Sequence, residues 1–154
     1  MLTVTSTVSF ASLWLVPRLA RFRAANPSID VRISATHALV DLEREGIDVA
    51  IRDIPSGREP PGAIRLVGEQ LCPVASPEFV RNARPKLRTP ADLAGHVLLQ
   101  LHDPQGRWTW LGWAPWLEAH GLADLHPAGT LTYDQYDQVI QSALHGQGVA
   151  LGRM

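Results

Sequence analysis

The feature that most constrains the fold is an alternation of short strand-like and helix-like stretches over the first fifty residues. Leu2, Val4, Ser6 and Val8 share one face of an alternating run, which predicts a strand over residues 2–8. Ile29, Val31 and Ile33 alternate with Asp30, Arg32 and Ser34, a second strand. Between them, Leu15, Leu19 and Phe22 recur at helical spacing with Val16 and Ala20 beside them, so residues 12–25 are expected to be helical. Pro17 interrupts that pattern and should bend or delay the first turn, and Asn26-Pro27 should end it. A short helix from Val40 to Glu45, stopped by Gly46, and a strand over residues 47–51 complete the set. Strand, helix, strand, helix, strand with short connections is the pattern of a parallel sheet with crossover helices.

Residues 55–62 hold three prolines and two glycines and are expected to be an exposed loop. A second α/β unit begins near Gly68, with strands over residues 71–75, 97–101, 129–133 and 149–151. Ser76 and Thr89 are expected to cap short helices at residues 77–82 and 90–94, and Asp134 a longer one. That last helix carries Tyr136, Val139, Ile140, Ala143 and Leu144 on one stripe and ends at Gly146.

Composition bounds the function. The 154 residues carry 45% hydrophobic and 19% charged side chains, a globular balance. A net charge of −1 disfavours a dedicated nucleic-acid surface. No window resembles a signal peptide or approaches a membrane span, which predicts a cytoplasmic protein with no membrane partner. The single cysteine, Cys72, has no partner for an internal disulfide.

The glycines of residues 146–152 follow a helix and precede a strand, the reverse of a nucleotide loop, so a helix-to-strand turn is the better reading. Cys72 lies in an apolar strand beside Pro73, a setting of inert thiols. The histidines lack metal-ligand spacing, and no metal or other cofactor is expected. Trp108, Trp110, Trp113 and Trp116 could form a stacking platform; the favoured reading puts Trp113, Trp116 and Leu117 on a helix that anchors to a sheet. Arg18, Arg21 and Arg23 read as a solvated helix face or a subunit contact. No residue pair makes a catalytic site. What remains is positional, because open parallel sheets collect ligands beyond the carboxyl ends of their strands. Those ends offer Ser9 and Phe10, residues 36–41, Arg52 and Asp53, residues 100–103, and Asp134 with Gln135. At Ser9 and Asp134, helix capping explains the residue type as well as ligand binding does.

The segments Leu-Val-Pro-Arg-Leu-Ala-Arg-Phe-Arg (15–23), Asn-Pro-Ser-Ile-Asp-Val-Arg-Ile-Ser (26–34) and Val-Asp-Leu…Glu-Gly-Ile-Asp-Val-Ala-Ile-Arg (40–52) resemble the effector-binding region of LysR-type transcriptional regulators. Pro-Val-Ala-Ser-Pro (73–77), Pro-Ala-Asp-Leu-Ala (90–94) and Ala-Leu-His-Gly-Gln-Gly-Val-Ala-Leu-Gly (143–152) extend the match across nearly the whole chain. It is most similar to the branch holding the glycine-cleavage activator and the β-lactamase regulator. The resemblance implies a two-lobed, type II periplasmic-binding-protein-like α/β fold with mainly parallel sheets, lobe I over residues 1–67 and lobe II over 68–154. It implies a small, anionic effector bound between the lobes, with Ser9, Phe10, Thr36, Asp41, His102 and Gln135 lining the site. The family often has serine or threonine near Gln135, so the effector's identity does not carry over. The intact regulator would be a homodimer or homotetramer, touching promoter DNA only through a winged helix-turn-helix absent from this chain. The C-terminal return segment that completes lobe I also lies outside it, so the chain reads as a fragment with a marginally stable first lobe. The rival readings are a stand-alone binding protein of the same fold and a doubly wound α/β enzyme using Cys72.

Overall fold

The computed structural model describes residues 1–54 and 57–154, so Pro55 and Ser56 of the expected loop lie outside the described residues, and residues 57–62 are exposed. The chain divides into two compact units, Met1–Leu66 and Val67–Met154.

The first unit is built on strands β1 (Leu2–Ser6), β2 (Val31–Ala35) and β3 (Val49–Ile51), in the order β2-β1-β3 and all parallel. β1 is central, and Thr3, Val4, Thr5 and Ser6 are all buried. Burying three hydroxyl side chains in succession requires partners. Thr5 Oγ1 donates to the Ser34 carbonyl at 2.9 Å, and the Asp48 carboxylate accepts from the Thr3 N–H at 2.7 Å. The strand ends two residues before the expected Val8, because Thr7 turns the chain into a helix.

That helical run starts earlier than the apolar stripe predicts: α1 (Val8–Phe10), a π-helical turn (Ala11–Leu15) and α2 (Val16–Ala25). Pro17 does not delay the helix. It widens the turn before it, where the Val16 N–H reaches back to the Ala11 carbonyl. In regular α geometry the proline ring would collide with the carbonyl four residues back, and a π turn relieves that contact. The Asn26 side chain donates to the Phe22 carbonyl at 3.0 Å, and the run stops at Ala25 as expected. The helix expected over residues 40–45 is instead one hydrogen-bonded turn, with the Glu45 N–H on the Asp41 carbonyl at 3.0 Å. Gly46, at φ +62, ends it before a second turn can offset the cost of nucleation.

In the second unit β5 (Val97–Leu101) pairs in parallel with β6 (Gly129–Tyr133), while β4 (Leu71–Val74) pairs antiparallel with β7 (Ala150–Arg153). The ladders meet where the Leu99 N–H donates to the Val149 carbonyl at 2.8 Å and the Val149 N–H to the Val97 carbonyl at 2.9 Å. Helices α3 (Pro77–Asn82), α4 (Trp113–Ala119) and α5 (Tyr136–Leu144) surround them. Successive residues of β5 serve opposite faces. Leu98 joins Leu93, Trp113, Leu117, Val149 and Leu151, whereas Leu99 joins Val139, Ala143 and Ala150. Trp113 and Leu117 thus anchor α4 to the sheet, and the Trp113 indole N–H donates to the Leu99 carbonyl at 2.9 Å.

Ser76 caps α3 by accepting from the Phe79 N–H at 3.2 Å, and Thr89 with Asp92 forms a capping box on Pro90–Gly95, which is a 3-10 helix. Asp134 does not cap α5, because the N-cap position falls on Gln135, whose side chain makes no capping hydrogen bond. Gly146 takes φ +72 at the end of α5, the left-handed conformation that releases the chain into β7. Gly148 has no room for a side chain, since a Cβ would lie 2.5 Å from the Val97 carbonyl oxygen.

Buried apolar side chains are unequally shared. The first unit holds Val4, Ala11 and Ile47, and the second holds both core clusters. Local opening follows buried apolar contact, so β1 amides should exchange with solvent before those of β5. Hydrogen-exchange mass spectrometry checks this, and protection of β1 equal to that of β5 would contradict it. A second expectation concerns Tyr136, whose hydroxyl donates to the Leu151 carbonyl at 2.8 Å and accepts from the Arg153 N–H at 3.0 Å. Burial pushes this phenol from 10.0 up to about 12. Below pH 10 it keeps its proton folded or unfolded; between pH 10 and 12 only the folded state holds it, so its contribution to stability is lost across that window. Tyr136→Phe should cost about 1–2 kcal/mol at neutral pH and lose less than the parent above pH 10, read from urea unfolding at each pH.

Candidate functional site

Parallel strands place their carboxyl ends along one edge. In the first unit these ends are Ser6, Ala35 and Ile51, which are paired across the ladder, followed by Thr7, Thr36 and Arg52. The Thr36 N–H donates to the Ser6 carbonyl at 2.9 Å, tying the tip of β2 to the end of β1. Thr36 Oγ1 accepts from the Ala38 N–H at 3.1 Å, which turns the following loop. Arg52 closes the arrangement by donating from Nη1 to the Thr36 carbonyl and from Nη2 to Thr5 Oγ1 at 2.8 Å. Burial lowers its pKa from the ordinary value and the Asp53 carboxylate opposes that shift, so the guanidinium stays charged. One residue further along β1, Ser6 Oγ is also buried and has no hydrogen-bond partner among the described residues; successive strand residues point to opposite faces, so it lies on the other side of the sheet from the Thr5 hydroxyl.

Ser9 is buried in the first turn of the helical run that follows β1. The N-cap is Thr7, with no side-chain cap bond, so capping does not account for Ser9. Phe10 is half-buried and stacks on Trp14 with ring centroids 5.1 Å apart, directed along the helix. Asp41 is exposed, and its carboxylate accepts from the Arg44 N–H at 3.1 Å, stabilising its own turn. Ser9 and Thr36 therefore follow adjacent strand tips, while Phe10 and Asp41 engage neighbours on their own segments.

In the second unit the exposed His102 follows β5, and its N–H donates to the Tyr133 carbonyl of β6 at 2.7 Å. Gln135 follows β6 at the start of α5, half-buried. These two also stand beyond adjacent paired strands. Close by, a narrow apolar recess is lined by Gln100, Leu101, Leu111, Gly112, Trp113 and Tyr136. Asp103 accepts from the Trp108 N–H at 2.6 Å through one carboxylate oxygen, and its other oxygen is buried without a hydrogen-bond partner among the described residues. The tryptophan cluster divides: Trp113 and Trp116 pack in or against the core, Trp108 is half-buried under Arg107, and Trp110 is exposed.

The sequence offers Arg52 and Asp103 only as strand-end positions outside the expected ligand-lining set, and gives no site signal at Ser6. Arg52 and Asp103 carried a signal, as polar residues at a strand's carboxyl end, but their partners are dozens of residues away or on a loop without periodicity. Cys72 is half-buried in β4 opposite Gly152. Among the described residues no group of three or more histidine, cysteine, aspartate or glutamate side chains is placed to hold a metal ion, and no helix is long and apolar enough to cross a membrane.

The architecture defines an α/β ligand-binding domain of the type II periplasmic-binding-protein kind, with mainly parallel sheets. The family model described as LysR substrate binding domain matches residues 1–153, and the chain belongs to that family. It is 40% identical over 151 residues to the glycine cleavage system transcriptional activator of Escherichia coli K12, covering 97% of this chain and 47% of that protein. The solved effector domain of the transcriptional regulator AmpR of Pseudomonas aeruginosa superposes with a TM-score of 0.63 at 33% identity, over 98% of this chain and 69% of that one. The regulatory domain of CrgA from Neisseria meningitidis, at 21% identity and TM-score 0.66, over 99% of this chain and 72% of that one, shares the fold. The chain spans about half the length of the curated relatives it matches.

Arg52 bridges two segments through a carbonyl and a hydroxyl, and charge-assisted bonds of this kind contribute about 1.5–3 kcal/mol each. Arg52→Gln should lower the unfolding free energy by about 2 kcal/mol and raise amide exchange at Thr36. Denaturant titration and hydrogen exchange read the two effects.

Proposed function

We propose that this chain is the effector-sensing domain of a LysR-type transcriptional regulator, and that it binds a small anionic metabolite without turning it over. The observation that carries the reading is the charged, part-buried Arg52 held at the strand tips by the Thr36 carbonyl and the Thr5 hydroxyl. Arginine presents five N–H donors, two of which are used here, leaving donors for an oxyanion. The Ser9 hydroxyl and the first N–H groups of the helical run favour the same charge, through direct hydrogen bonds and the helix dipole. In the second unit His102 and Gln135 stand at the tips of that unit's own paired strands and offer polar groups there.

Sensing requires that the effector favour one state of the domain over another, and it shifts that equilibrium only by its difference in affinity for the two. In the intact regulator, a cytoplasmic homodimer or homotetramer, this shift changes how a winged helix-turn-helix outside this chain holds promoter DNA.

The test is a thermal-shift panel of small mono- and dicarboxylates, each beside its uncharged amide. Carboxylates that stabilise the domain should lose at least tenfold in affinity on Ser9→Ala and on Arg52→Gln, about 1.4 kcal/mol, and amides should bind poorly to all versions. Thr36→Val should alter the response without unfolding the protein, as judged by circular dichroism. Amides binding as tightly as carboxylates would overturn the anionic reading, and unchanged affinity in both the Ser9 and Arg52 variants would overturn the site.

A further inference from the structure

The net charge of −1 conceals a concentrated patch. Residues 81–88 carry Arg81, Arg84, Lys86 and Arg88, and no acidic residue occurs between Phe79 and Ala91. All four cations are exposed. Glu78 and Asp92 flank the run, and Asp92 is the acid nearest Arg88. Its carboxylate already accepts from the N–H groups of Arg88 and Thr89, at 2.9 and 2.7 Å, as part of the capping box. Lys86 Nζ donates to the Arg81 carbonyl and Arg84 Nη1 to the Ala83 carbonyl at 2.8 Å. A carbonyl carries no formal charge, so these bonds orient the cations without neutralising them.

The segment bearing them, the last turn of α3 with Arg81 and the loop that follows it with the other three, is firmly held. Ala83 is buried and Leu87 packs against the core cluster around Leu93 and Leu98. The ring N–H of the buried His96, at Nε2, donates to the Pro85 carbonyl at 2.8 Å. The Pro85 ring lies so close to Gly95 that a Cβ there would approach it to 2.5 Å. Ala83 and Leu87 thus face inward while the charges of the segment face solvent.

We propose that this loop is a secondary, sequence-independent contact for the phosphate backbone of duplex DNA. Three of its four cations are arginines, whose planar forks match phosphate oxygens, and a rigid loop spends little ordering entropy on a regular array of charges. A membrane surface calls for an apolar face beside the cations, and here Ala83 and Leu87 are turned into the core. The inference rests on the regulator reading only in that such a protein works beside DNA; it does not depend on which effector is sensed.

The test is fluorescence anisotropy of a labelled random-sequence duplex titrated with the full chain across salt concentrations. Four phosphate contacts predict a slope of about −3.6 in log K against log salt, or roughly a hundredfold weakening between about 50 and 200 mM. Replacing Arg81, Arg84, Lys86 and Arg88 with glutamine should reduce affinity at low salt at least tenfold and flatten the slope. A version with the three arginines changed to lysine should retain most of the binding, which separates loss of charge from loss of fold. The helix variant Arg21→Gln/Arg23→Gln should bind as the parent does. Undetectable duplex binding at low salt, binding undiminished in the glutamine version, or equally tight binding to phosphatidylserine vesicles or polyglutamate would overturn the proposal. Effector-induced stabilisation, measured separately, would stand in each of those cases.

Discussion

Parallel pairing of β1 with both its neighbours is the constraint from which the rest of the first unit follows. A parallel neighbour cannot be reached by a tight turn, so the chain must cross back over the sheet between strands. The helical run Val8–Ala25 makes the first crossing and the short turn after Asp41 falls on the second. The same pairing puts every carboxyl end at one edge, where Thr7, Thr36 and Arg52 emerge together. A central strand is also covered on both faces, which explains why Thr3, Thr5 and Ser6 are buried despite their hydroxyls. The Thr5 hydroxyl is met by groups from distant segments, the Ser34 carbonyl and Arg52.

The two units solve the problem of stability differently. The second follows the usual course: β5 sends Leu98 and Leu99 to opposite faces, and α4 and α5 cover them with Trp113, Leu117, Val139 and Ala143. The first has little apolar burial and relies on polar cross-links at its strand ends. Polar groups at strand ends are useful for recognition because they are already oriented when a ligand arrives, which lowers the entropic cost of binding. One arrangement therefore serves both cohesion and the proposed effector contact.

Departures from the expected helices have a common origin in local geometry. Pro17 left its mark as a π turn, because the apolar stripe shows which face is buried but carries no information on how the backbone absorbs a missing N–H. Residues 40–45 have helical spacing over barely one turn, too short for periodicity to separate a helix from a single hydrogen-bonded bend. Asp134 lies one residue before the N-cap of α5, an offset that residue type alone does not resolve. By contrast, Ser76, Thr89 and Gly146 were legible in advance, since each satisfies a need created within a few residues of itself.

The amino-acid order by itself determined the α/β class, the strands and longer helices, the helix-to-strand turn at Gly146 and the family, because periodicity and turn chemistry are local and the family's motifs are contiguous. It also pointed to the strand tips, since parallel topology alone dictates where they lie. Only the tertiary structure decided that Arg52 reaches Thr5 and Thr36, that the Ser6 hydroxyl is buried without a partner among the described residues, and that four exposed cations lie on one braced segment from the end of α3 onward. Those facts depend on which side chains meet across tens of residues, and no pattern along the chain encodes the direction in which a long side chain points once the backbone has folded around it.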